Sequence, residues 1–78
     1  MLKTLIEHVV RSLVEYPAAV QVTQNDREGI AEILVTVGKT DVGRVIGRDG
    51  QTIKAIRSLA SAVNEGDIAC DVIINDRE

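Results

Sequence analysis

The residues most able to do chemistry lie in one short stretch, Val45-Ile46-Gly47-Arg48-Asp49-Gly50-Gln51-Thr52-Ile53. Two glycines three positions apart let a backbone turn tightly and keep side chains away from a ligand. An apolar periodic run starts just after Gly50, so a helix N-terminus is expected there, with N–H groups and a dipole that favour a phosphate. Arg48 can meet a phosphate oxygen from within the loop. Arg44 stands just before it, and Lys54 and Arg57 follow one turn apart on the expected helix. This chemistry is a non-covalent grip on a sugar-phosphate backbone. A nucleotide-binding P-loop would need a Gly-Lys-Ser/Thr ending, which is missing, and a dinucleotide fingerprint needs another glycine spacing and a longer chain. A plain turn between two helices uses the same glycines, and spacing alone leaves both readings open.

Charge distribution sharpens the choice. The chain has 78 residues and a net charge of −3, which by itself argues against a nucleic-acid partner. Between Lys39 and Arg57, however, five basic residues (Lys39, Arg44, Arg48, Lys54, Arg57) face two acidic ones (Asp41, Asp49), a surplus of +3 that leaves −6 for the rest. Such segregation repels anions from most of the surface and admits them at one place. Asp49 puts a carboxylate beside that place; it is expected to point to solvent and to hold affinity down. Tyr16 is the one aromatic residue, so no aromatic platform for stacking bases is expected.

Other chemistries find little support. Cys70 is the single cysteine, which excludes an intramolecular disulfide and a cysteine-based metal cluster, and its apolar neighbours suggest a small core residue. His8 falls on the polar side of a helical pattern without a Cys or His partner, and Asp67 and Asp71 read as solvated charge. No nucleophile, base or metal set is visible, and neither an enzyme nor a cofactor is expected. No signal peptide and no run of roughly 20 apolar residues is seen, so a cytoplasmic location away from membranes is expected.

The elements that must position these residues can be read from periodicity. Leu2, Leu5, Ile6, Val9, Val10, Leu13 and Val14 recur at helical spacing, and Pro17 stops the helix. Residues 19–24 alternate as a strand, 25–29 form a turn cluster, and 30–37 are nearly continuous in β-branched and aliphatic residues. A five-residue connection makes these an antiparallel hairpin. Asp41 is the expected N-cap of a short helix holding Val42, Val45 and Ile46. A longer helix over 51–64, burying Ile53, Ile56, Leu59, Ala60 and Val63, ends at Gly66, and residues 69–74 form the last strand. The order is α-β-β-α-α-β in a single α+β domain spanning 1–78. The last strand should lie parallel to the second after a right-handed crossover. The result is a three-stranded mixed sheet with helices on one face, whose other face exposes Leu34 and Ile73 for self-association.

Ile46-Gly47-Arg48-Asp49-Gly50, ahead of Ile53-Lys54-Ala55-Ile56-Arg57, resembles the Ile-Gly-x-x-Gly signature of KH domains. The element order resembles the type II, bacterial form of that fold, and the Asp41-Val42-Gly43-Arg44 lead-in is similar to the small KhpA family. The resemblance implies that Gly47, Arg48, Asp49 and Gly50 clamp single-stranded RNA backbone. It also implies that Ile46 and Ile53 line an aliphatic groove for bases, with Arg57 near its rim, and that 65–68 form a short variable loop. An RNA chaperone or regulator is implied, acting as a homodimer or with a larger KH-containing protein. The alternative is an adaptor that keeps the scaffold and works mainly through a partner protein.

Overall fold

The N-terminal apolar stripe folds as helix α1 (Leu2–Leu13), with Leu2, Ile6 and Val10, each four residues apart, buried on one side. The computed structural model describes residues 2–63 and 69–77. On the outer side of α1, Glu7 and Arg11 pair at 2.9 Å, in the favourable order with the acid N-terminal to the base. Pro17 then opens a single 3-10 turn, Pro17–Ala19, whose fixed φ suits the first position of a helical turn.

Strand β1 (Gln21–Arg27) runs antiparallel to β2 (Ile30–Gly38), and β3 (Ala69–Arg77) runs parallel to β2 on its other side. β2 is central, so it reads as a nearly unbroken apolar run: Ala31, Ile33, Val35 and Val37 are buried, and the residues between them are half-buried. Val22 of β1 lies opposite Val35, and Val72 of β3 beside Ile33, so all three strands send apolar side chains to one face. The two strands of the hairpin are joined by Glu28 and Gly29 alone, not by the five residues expected. Both have positive φ, 46° and 78°, the twist that matches a right-handed hairpin. The miss has a simple cause: Asn25, Asp26 and Arg27 pair with β2 while burying nothing, so no hydrophobic alternation marks them. The sheet's starts and ends differ likewise: Ala19 completes the 3-10 turn, and β3 continues to Arg77.

Two helices close the layer. Helix α2 (Val42–Ile46) buries Val45, and α3 (Gln51–Val63) buries Ile53, Ile56 and Ala60 at helical spacing. These join Ile6, Val10 and the inner face of the sheet in one core. Leu13 and Leu59, expected inside, stay 39% and 37% exposed, and Val63 packs only partly. The opposite face of the sheet exposes Ile30 and Ile73, with Leu34 half-buried between the strands. The terminator expected at Gly66 and the 65–68 loop lie outside the described residues.

Asp41 does not cap α2 as expected. Its backbone is already helical, φ −94° and ψ −7°, where an N-cap needs an extended residue to fold its side chain over the helix start. The carboxylate turns inward instead and is fully buried. Oδ1 accepts the Glu15 backbone N–H and Oδ2 the Tyr16 N–H, each at 3.0 Å, so the chain just past α1 is tied to the chain just before α2. Replacing Asp41 with Ala removes the acceptor of two partly buried N–H donors. The expected loss is about 2–4 kcal/mol, read as a lower midpoint in urea denaturation. An unchanged midpoint contradicts the latch.

Candidate nucleic-acid interface

α2 is only five residues long because Gly47 ends it. The Gly47 N–H donates back to Gly43 O at 2.8 Å, and the chain then leaves the helix at φ 77°, ψ 174°, a region open to glycine and almost nothing else. A tight turn follows, closed by Gly50 N–H on Gly47 O at 3.1 Å. Asp49 has φ 56° and Gly50 φ 74°, so three of the four loop residues are left-handed. Asp is among the few non-glycine residues that enter this region readily, which accounts for an acid at a place where a phosphate would not choose one. Asp49 is exposed, as expected.

The turn folds back on the start of α3. A Cβ placed on Gly47 would overlap the Thr52 hydroxyl and lie 2.7 Å from Thr52 Cβ and 2.9 Å from its backbone N. At Gly50 the nearest atom is Ile53 Cγ2 at 3.9 Å, so that glycine is needed for its φ and not for space. Gly50 therefore leaves open space beside the first turn of α3, whereas at Gly47 the place of a side chain is taken by Thr52. The first N–H groups of a helix lack intrahelical acceptors, and here that of Gln51 donates to Arg48 O. Thr52, half-buried, shapes the loop by filling the space that Gly47 leaves. Its place in the sequence gives it no role, and the folded-back geometry supplies one.

The candidate side chains divide into three groups. Arg48 and Lys54 are exposed and, among the described residues, make no ion pair. Arg57 donates from Nε and Nη2 to Val72 O at 3.3 and 3.2 Å, which spans the gap between α3 and the outer edge of β3. Arg44 is engaged with acids: Nη2 lies 3.2 Å from Glu15 Oε2 and Nε 3.3 Å from Asp41 Oδ1. Nothing in the sequence pairs Glu15 with a residue 29 positions later. Ile46 sits at the surface beside the loop, whereas Ile53 is 7% exposed and belongs to the core.

A second surface is apolar. Val9, Leu13, Thr52, Ala55, Ile56 and Leu59 line a shallow cavity of about 220 Å³ between α1 and α3. Elsewhere, Cys70 is half-buried on the core side of β3. Burial, and after it the Asp71 carboxylate, push its thiol above the ordinary value, so it stays uncharged at neutral pH. Asp71 is exposed, His8 is exposed, and Asp67 lies outside the described residues. Among the described residues no three metal-ligating side chains converge.

Comparison with known proteins gives a consistent result. The family model described as "KhpA/KhpB, KH domain" matches residues 3–73. The chain is 42% identical over 62 residues to the RNA-binding protein KhpA of Thermotoga maritima, covering 80% of this chain and 83% of that one. It is 41% identical over 61 residues to the protein of the same name from Halalkalibacterium halodurans, covering 78% and 80%. The Bacillus subtilis protein of that name is 38% identical over 61 residues, covering 78% and 75%. No solved structure gives a significant match.

The two loop glycines should respond differently to substitution. Gly47→Ala combines a forbidden backbone region with the overlap at Thr52 and is expected to lower stability by more than about 2 kcal/mol. Gly50→Ala meets open space and should cost only the left-handed penalty, about 1–2 kcal/mol. Denaturation midpoints of the two variants check this, and equal losses would contradict the role given to Thr52.

Proposed function

The chain belongs to the KhpA/KhpB family of KH domains, and from that premise we propose that it binds single-stranded RNA by its backbone at residues 47–50. The carrying observation is the tight glycine-bounded turn at the start of α3, with open space at Gly50 and Arg48 exposed between the two glycines. A phosphate seated there meets helix N–H groups, the positive end of the α3 dipole and a guanidinium together. KH domains hold nucleic acid with this kind of loop. Phosphate contacts position a strand without reading it, and Tyr16 is the one aromatic residue, so sequence preference is expected to be low. Such a protein acts as an RNA chaperone or post-transcriptional regulator in the cytoplasm. No helix among the described residues is long and apolar enough to cross a membrane.

A second KH chain is the other partner in this proposal, either a copy of this one or a larger KH-containing protein. The apolar groove between α1 and α3 and the sheet face bearing Leu34 and Ile73 supply surface for it. An adaptor acting mainly through that surface is the competing reading, and it predicts RNA binding that is indifferent to the loop.

RNA affinity measured against salt and against Arg48→Asp decides between them. With Arg44 held by acids, two or three cations remain for phosphates, so the logarithmic salt slope should be about −1.4 to −2.1. Arg48→Asp replaces a charge-assisted contact with a second carboxylate beside Asp49, and the loss of about 1.5–3 kcal/mol weakens binding tenfold or more. Melting temperature should hardly move, because acids near a helix start are tolerated. A variant that keeps both its melting temperature and its RNA affinity sinks the clamp.

A further inference from the structure

Arg44 lies three residues before Gly47, within one turn of the loop, yet its guanidinium is turned to protein oxygens. Its two contacts differ in kind. Asp41 Oδ1 is buried and fixed by the latch to the chain after α1, so the bond to Nε sets where the guanidinium plane stands. Glu15 Oε2 takes Nη2, and both side chains of that pair are more than half exposed, 56% for Arg44 and 57% for Glu15. An exposed pair of this sort is a weak hold, worth at most about a fivefold equilibrium constant. Arginine also carries N–H groups beyond the one on Nε. Nε can therefore stay on Asp41 while the Nη groups exchange one oxyanion for another. A phosphate next to the one seated on the loop is the natural competitor.

We propose that Glu15 is an internal competitor for RNA phosphate at Arg44, with Asp41 as the positioning residue that keeps the guanidinium in reach of both. The inference rests on the clamp at residues 47–50. In the free protein the Glu15 carboxylate offsets part of the attraction that Arg44 would exert on RNA. On binding, a phosphate that takes Nη2 displaces that carboxylate, and one that takes Nη1 sits beside it and is repelled by it. Glu15 thus sets the affinity below what the basic segment would otherwise provide. The Glu15 side chain can be changed without touching the latch, because Asp41 is held by the Glu15 backbone N–H and not by its carboxylate.

The test is a double-mutant cycle with an unstructured oligouridylate as probe, its affinity measured over a range of salt for the parent, Glu15→Gln, Arg44→Gln and the double variant. Glu15→Gln should bind roughly two- to fivefold tighter at low salt, with a salt slope steeper by about 0.7, the increment of one more neutralised phosphate. Made in the Arg44→Gln background, the same change should give no gain. Parent-like affinity and slope in Glu15→Gln overturns the proposal, as does an equal gain with Arg44 absent, which marks a general effect of net charge. Arg48→Asp, measured alongside, separates the two levels. If it loses binding while Glu15→Gln does nothing, only the competition is wrong; if it binds like the parent, the clamp itself is wrong.

Discussion

One buried carboxylate holds the loop-bearing end of this fold in place. Asp41 is the charged residue with no exposure among those described, and its oxygens are met by two backbone N–H groups from the chain just past α1 and by Arg44. Taking a charge out of water is expensive unless hydrogen bonds replace the lost hydration, so Asp41 is stable inside only while the end of α1 stays against the start of α2. The constraint is mutual. α2 is five residues long and too short to be stable alone. Its position, and through it that of Gly47, is inherited from the sheet and α1 by way of this contact.

From that anchored end the loop follows from backbone conformation. Gly47 leaves α2 in a region closed to side chains, Thr52 fills the space its missing Cβ leaves, and Asp49 and Gly50 complete a left-handed turn into α3. The outcome is a helix start with open space at Gly50 and one exposed arginine, which under the proposed function would suit any phosphodiester and discriminate between few. Charge is rationed as well: of the basic residues between Lys39 and Arg57, Arg44 is neutralised by acids and Arg57 is turned to the edge of β3. If the proposed clamp holds, so few available cations predict weak, salt-dependent binding of RNA.

Much of this was legible in the residues themselves. The helical stripe of α1, the apolar run of β2, the glycine pair and the element order give the mixed sheet and place the loop between two helices, because each rests on a local period or on backbone freedom. What could not be read depends on where distant parts meet. Asp41 looks like a cap by its neighbours alone, and only the proximity of residues 15 and 16 makes it a latch. Arg44 reads as an unpaired cation until Glu15 and Asp41 are found beside it, and Thr52 gains its role only when the loop folds back. Asn25, Asp26 and Arg27 form strand without burying anything, so periodicity is silent about the long arm of the hairpin. Leu13 and Leu59 fit the helical stripe, yet they border the groove between α1 and α3 instead of the core.

The most direct test of where RNA is held is a backbone amide titration by NMR, adding a short oligouridylate to the isotopically labelled chain at low salt. Binding by the loop moves the amides of residues 47–52 first and furthest, leaves Thr23, Leu34 and Ile73 on the outer sheet face unmoved, and is reversed by salt. Shifts centred on that sheet face, or on the groove between α1 and α3, with residues 47–52 silent, would contradict it.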